Sequence, residues 1–264
     1  MTIRIAVFLL AAASMPATAQ ELKKDIPAHP HKYVAEEDAQ ILKLYEGLRS
    51  ADVSDGMDIV GLRDSGLVSS DIKPLWRDLE DFSHRIQGIA LTARYVRTNR
   101  AVPSMTAAEY DKWQGEWYGK LSPEAYVELI RPGTILVFDA AEDGEVGTIG
   151  SFNTMNWKLR GCRGIVTSGG SRDTDEVMKQ KIPIYLQRIT RGYPPGRNEL
   201  DAVNVPVMIG GVLVRPGDVV VADGDGVVVV PREHAEAVAR HARRILDNDK
   251  KNRRRLYEKL GMPP

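Results

Sequence analysis

Cysteine is almost missing from this chain: Cys162 is the one thiol among 264 residues. A single cysteine closes no internal disulfide, so packing and assembly must supply the stability. Redox chemistry would need an exposed thiol with a lowered pKa. Nothing around Cys162 signals either, and it reads as a small buried residue. Net charge is missing too. Thirty-six Lys and Arg balance 36 Asp and Glu, which excludes a global field pulling the chain toward nucleic acid or anionic lipid. Beyond the first twenty residues no stretch is long and apolar enough to read as a membrane span.

The amino terminus carries the pattern of an export signal. Arg4 supplies a positive start, residues 5–13 are apolar but too short to cross a bilayer, and Ala17-Thr18-Ala19 fits the small-x-small cleavage rule. Residues 1–19 are therefore expected to be a signal peptide cut after Ala19, which places the mature chain in a periplasm or outside the cell; an uncleaved membrane anchor is the alternative. Residues 20–34 hold Pro27, Pro30 and scattered charges and read as an irregular arm. His29 and His31 in that arm are solvated or form a minor metal site.

From residue 35 the pattern becomes that of a globular α/β chain. Residues 35–50 carry a helical stripe of Ile41, Leu42, Leu44, Tyr45 and Leu48, and Ser54-Asp55 is placed to cap a second helix. Residues 86–96 (IQGIALTARYV) and 134–139 (TILVFD) read as strands. Between them, residues 103–131 are rich in aromatics: Tyr110, Trp113, Trp117, Tyr118 and Tyr126 either pack or line a substrate entrance. Residues 147–151 (GTIGS) form a small-residue turn before a helix over 152–160, which Gly161 ends. A strand through Gly164 follows, completing a βαβ unit. Short strands at 205–209, 212–214, 219–222 and 227–230 precede a long helix over 232–258, whose basic run at 250–255 is read as a solvated face.

The segment at residues 164–173 (GIVTSGGSRD) carries the chemistry. Gly169 and Gly170 are expected to turn the chain, taking positive φ and letting another group approach the backbone closely. The turn then delivers Arg172, a planar fork of donors suited to a carboxylate, beside Asp173, whose hard oxygens suit a divalent cation. An anion clamp next to a cation ligand points to a metal-assisted site for a small acid.

Several segments together resemble one known family, the group that holds the 4-hydroxy-4-methyl-2-oxoglutarate/4-carboxy-4-hydroxy-2-oxoadipate aldolases and the regulator of ribonuclease activity A (RraA-like proteins). The likeness is carried by residues 51–58 (ADVSDGMD), the strand ending at Asp139, the glycine loop 147–150, residues 160–164 and 169–173, residues 204–211 (NVPVMIGG), 215–218 and 222–230 (ADGDGVVVV). It spans roughly residues 40–250.

The resemblance implies a three-layer ββα swivelling domain over residues 35–264, with an N-terminal helical extension, a C-terminal helix and an aromatic-rich insertion near 100–131. It implies a homotrimer or hexamer with sites between subunits, and a Mg²⁺-dependent (or Mn²⁺-dependent) lyase that releases pyruvate from a small 2-oxo acid. A non-catalytic ring-shaped regulator is the alternative it leaves open. In family aldolases the Arg of the Arg-Asp pair grips the keto-acid carboxylate, the Asp binds the metal, and backbone N–H groups beyond the glycine loop hold the remaining oxygen. Carried over, these are Arg172, Asp173, and Phe152 and Asn153, with Gly147 and Gly150 shaping the loop. A neighbouring subunit's acidic group, here Asp247 or Asp249, would help hold the metal's waters.

Two departures stand out. The family's proton-transfer Asp, twenty-one positions before the Arg, is Ser151 here, and the Asp usually found before the second signature glycine is Ser168. A serine is no base near neutral pH without help. Glu142, Asp143 and Glu145 in the adjacent loop are candidates to replace it. No S-adenosylmethionine-binding motif is recognisable in the chain.

Overall fold

A computed structural model describes residues 31–140 and 144–262. The expected export signal, most of the proline-bearing arm with His29, and Glu142 and Asp143 lie outside those residues.

One curled sheet organises the molecule. Its strand order is β1 (Lys73–Pro74), β6 (Ile184–Ile189), β5 (Cys162–Ser171), β3 (Thr134–Asp139), β2 (Ile86–Arg97), β10 (Val219–Asp223) and β11 (Gly226–Val230). β4 (Gly147–Ile149) adds to the end of β5 and β7 (Asn198–Val203) to the far half of β2. The β2–β3, β3–β5, β4–β5 and β5–β6 pairs are parallel. The pairs made by β1, β7, β10 and β11 are antiparallel.

Strand periodicity sorts the side chains into two cores. Ile86, Ala90, Ile135, Val137, Val166, Tyr185, Val220 and Val229 face one way and meet the hairpin of β8 (Val207–Ile209) and β9 (Val212–Val214). Their alternates face the helices. Leu136, Phe138, Ile165 and Ile184 pack with Trp157 and Val177, which sit on α4 (Ser151–Leu159) and α5 (Thr174–Lys179). Ile89, Val219, Val221 and Val228 pack under α1 (Ala35–Tyr45), α2 (Ser50–Ile59) and α6 (Ala235–Leu260). Hairpin, sheet and helices are the three expected layers, with the helical extension at one end of the chain and a long helix at the other.

Local chemistry moves several expected boundaries. α1 stops at Tyr45 because Gly47 takes φ +71°, and α2 starts at Ser50. The carboxylate of Asp52 accepts from the Arg49 backbone N–H, and Asp223 accepts from the Ser50 N–H and hydroxyl. These contacts cap α2, so Ser54-Asp55 lies inside the helix instead of capping it. β5 runs straight through Gly169 and Gly170, neither of which takes positive φ. A Cβ on Gly169 would sit 2.7 Å from the Ala140 Cβ, and one on Gly170 would sit 2.8 Å from the Val146 carbonyl oxygen. Close backbone approach, not a turn, is what those glycines permit. Residues 147–149 form a short strand alongside them where a bare turn was expected.

The aromatic-rich segment folds as α3 (Ala107–Lys120) and a 3₁₀ turn at Val127–Leu129. Thr106 and Glu109 cap α3 reciprocally. Packing accounts for most of its aromatics. Trp117 is buried and donates its indole N–H to the Asn198 carbonyl (3.0 Å), and Tyr126 and Phe138, tilted against each other, both meet Trp157 edge-on. Cys162 is buried as expected, and burial pushes its thiol up to about 11.

Candidate active site

The site forms where β5 ends. Backbone pairing of β4 with β5 places the Arg172 N–H on the Ile149 carbonyl (2.9 Å), so the Arg172-Asp173 step lies against the start of α4. Asp173 holds a left-handed conformation (φ +54°) as the chain leaves β5 for α5. That geometry turns its carboxylate back toward α4. Oδ2 accepts from the Ser151 N–H (3.1 Å) and from the Ser151 hydroxyl (3.3 Å). The Arg172 Nε lies 3.9 Å from Asp173 Oδ1, and its guanidinium carbon lies 4.8 Å from the centre of the Tyr193 ring.

The two glycines of the loop make room for this pair. A Cβ on Gly147 would meet the Arg172 Cβ, Cγ and Cδ at 2.8, 3.0 and 3.1 Å, and one on Gly150 would stand 3.0 Å from Asp173 Oδ2. The side chains of the pair can therefore lie along the loop.

A cavity of about 90 Å³ opens in front of them. Its wall includes Gly147, Gly150, Phe152, Asn153, Arg172 and Asp173, together with Tyr95, Tyr118, Ser122, Glu124, Thr148 and Pro194. Gly147, Gly150, Phe152, Asn153, Arg172 and Asp173, all assigned to the site from the sequence, thus share one wall, and Ser151 bonds to it through Asp173. An outer vestibule of about 380 Å³ shares Tyr118, Ser122, Glu124, Phe152, Asn153 and Arg172 and adds Asn156 and Tyr193. Of the five insertion aromatics, only Tyr118 reaches the inner cavity. The first intrahelical bond of α4 runs from the Thr154 N–H to the Gly150 carbonyl (3.1 Å). The N–H groups of residues 151–153 accordingly have no carbonyl partner within the helix, which suits an anion.

Other residues named from the sequence lie elsewhere. The Ser168 hydroxyl accepts from the Ala140 N–H (3.0 Å) and faces Asp139, fixing the ends of β3 and β5 away from the cavity. Glu145 pairs with Arg191 (3.4 Å) on the exposed surface. Asp247 is exposed on α6, and the Asp249 carboxylate is engaged by Arg49 (2.7 Å) and Arg253 (2.9 Å). Neither lines the cavity of its own chain.

Glu124 is the residue that sequence reading missed. Its carboxylate accepts from the Asn153 amide and from the Trp157 indole N–H (3.2 Å). Burial raises its pKa above the usual carboxylate range, partly offset by those two bonds and by Arg160. No motif surrounds it. The 3₁₀ turn and α4 bring it to the cavity, and only the folded chain displays that contact.

Among the described residues, no cluster of three or more His, Cys, Asp or Glu could cage a metal. A magnesium ion keeps much of its water and uses one or two carboxylates plus substrate oxygens, so the fit turns on a single accessible carboxylate. The Asp173 side chain is 41% exposed and offers such a carboxylate.

Comparison with known proteins places the chain in a family. Residues 50–229 match the family profile RraA-like (Aldolase/RraA). The chain belongs to that family. It is 31% identical over 129 residues to a Halalkalibacterium halodurans protein named "Putative 4-hydroxy-4-methyl-2-oxoglutarate aldolase", covering 49% of this chain and 61% of that one. It is 32% identical over 112 residues to the uncharacterised Methanocaldococcus jannaschii protein MJ0644, covering 42% and 53%. The matches thus span only 53% and 61% of the length of these curated relatives. A crystal structure of Streptomyces coelicolor RraAS2, described as an unusual member of the RNase ES inhibitor RraA protein family, superposes with a TM-score of 0.65. It is 27% identical and covers 82% of this chain and 96% of that one. An uncharacterised Pseudomonas syringae protein gives 0.63 at 27% identity, covering 84% and 92%.

Proposed function

We propose that this protein is a magnesium-dependent lyase that releases pyruvate from a small 2-oxo acid, by cleaving a 4-hydroxy-2-oxo acid or decarboxylating oxaloacetate. The observation that carries this reading is that Arg172 and Asp173 face one small cavity beside the start of α4. A space of about 90 Å³ suits an acid of a few carbons, far below the several hundred Å³ of sites for larger ligands.

Arg172 offers parallel donors to the substrate carboxylate, and the Tyr193 ring beside its guanidinium limits its freedom. The N–H groups of Phe152 and Asn153 are available to the other carboxylate oxygen. Fixing the acid in this way aims its keto oxygen toward Asp173, the residue that would hold the magnesium ion. The ion, when bound, supplies positive charge where the enolate oxygen develops. Ser151 orients the Asp173 carboxylate through two hydrogen bonds. Export from the cytoplasm belongs to the same proposal and rests on residues 1–19.

The test is direct. Purified protein with Mg²⁺ is expected to release pyruvate from oxaloacetate or from 4-hydroxy-4-methyl-2-oxoglutarate, and EDTA or Arg172→Ala should each abolish release. No turnover across a broad 2-oxo acid panel would overturn the lyase reading.

A second reading, a ring-shaped regulator without catalysis, is favoured by Ser151 at the family's proton-transfer position. On that reading the native chain is inactive and Ser151→Asp creates activity; on the first, the native chain already turns over.

A further inference from the structure

We propose that Glu124 is the general acid–base of this site, taking the place of the carboxylate that Ser151 has replaced. The inference rests on the lyase reading above and adds the group that moves the proton.

Elimination and placement lead to it together. Among the described residues, the carboxylates on the cavity wall are Asp173 and Glu124. Asp173 is turned onto Ser151, and Glu145 points outward to Arg191. Glu124 lines both the inner cavity and the vestibule, so it stands where a substrate's distal end would leave the Arg172 subsite. Its orientation is fixed by two donors one helical turn apart on α4, Asn153 and Trp157. An ionised carboxylate has about four acceptor positions, so two remain for the cavity. The charged and titratable groups around it are Arg160 just past the end of α4, Tyr126 on its own segment, and Tyr95, Tyr118, Arg172 and Asp173 around the cavity. Burial favours the protonated form, which brings a carboxyl closer to the range useful for both accepting and returning a proton.

The step balances as follows. The Glu124 carboxylate takes the proton of the C4 hydroxyl; the C3–C4 bond breaks, C4 becomes a carbonyl, and the electron pair enters the pyruvate enolate. The Glu124 carboxylic acid then gives the same proton to C3, forming the methyl group and restoring the carboxylate. When oxaloacetate loses CO₂, the acid form protonates C3 in the same way and is refilled from water.

Glu124→Gln is nearly isosteric and can keep both α4 contacts if the Asn153 amide turns over. With 4-hydroxy-4-methyl-2-oxoglutarate as substrate the expected result is a kcat lower by about 100-fold or more, a KM within about threefold, and loss of the activity limb that rises with pH through the Glu124 ionisation; with oxaloacetate, which uses the acid form, the limb lost is the one that falls as pH rises. Deuterium entry at C3 of pyruvate in D₂O should fall by the same factor. Oxalate affinity, measured by calorimetry with Mg²⁺, should stay unchanged. In Glu124→Ala, added formate should restore part of kcat. A Gln variant with near-native kcat, or one that loses oxalate binding along with turnover, overturns the assignment while the lyase reading stands. Wild-type protein inactive on the whole panel removes both.

Discussion

Much of what Arg172 can do depends on a side chain that its neighbour lacks. Gly147 has ordinary backbone dihedrals, so its conformation does not demand glycine. What demands it is the Arg172 stem, whose first three carbons would lie within 3.1 Å of a methyl group there. A clash on the stem cannot be relieved by moving only the tip, so Gly147→Ala should shift the guanidinium. A displacement near 1 Å costs about 100-fold in a positioned reaction. Steady-state kinetics on oxaloacetate are expected to show kcat/KM lower by about that factor, while the melting temperature, read by circular dichroism, stays close to native. Native kcat/KM in this variant would show that Arg172 does not need the space.

Between elements, a buried carboxyl ties the β9–β10 turn to the approach of α6. Asp218 is 3% exposed and accepts from the N–H groups of Arg215 (2.7 Å) and Arg232 (3.1 Å). Burial pushes its pKa up to about 6, the two N–H bonds only partly opposing it, with Glu233 adding to the rise. The unfolded chain releases this proton near pH 4 and the folded chain near pH 6. Its contribution to stability is therefore fullest below about pH 4 and declines as pH rises to about 6. Asp218→Asn removes that decline, so the melting temperature of the variant relative to wild type should climb between those two pH values. A constant difference would mean that Asp218 is already ionised in acid. Elements differ in how plainly the sequence announces them, and for related reasons. β3 matched its expected bounds because Pro132-Gly133 opens an unbroken apolar run. β7 escaped notice because its sequence, NELDAV, is polar. Its partners are tertiary: Glu199 accepts from Thr98 and Arg100, and the Asn198 carbonyl accepts from Trp117. The site divides in the same way. Arg172 and Asp173 sit in a recognisable string with matched spacing, whereas Glu124 reaches them only through folding.

For the whole molecule, the outer face of α4 poses the remaining structural question. Phe152, Met155 and Leu159 form one stripe along it and are 83%, 53% and 87% exposed. With Ile182 and the stem of Lys158 they line an apolar groove of about 590 Å³. Such a stripe is costly to leave in water. Phe152 also belongs to the wall of the Arg172–Asp173 cavity, so whatever covers the groove also bounds that cavity. A second copy of this chain, in the ring that the family resemblance implies, would do both. It could also bring a neighbour's Asp247 toward Asp173, which the chain's own α6 does not. Sedimentation equilibrium should then give a mass several times that of one protomer. Met155→Glu with Leu159→Glu should yield folded protomers that have lost pyruvate release, although Arg172, Asp173 and Glu124 are untouched. A native protein that sediments as a single protomer with full turnover would show that one chain completes its own site, and the exposed stripe would then need another partner.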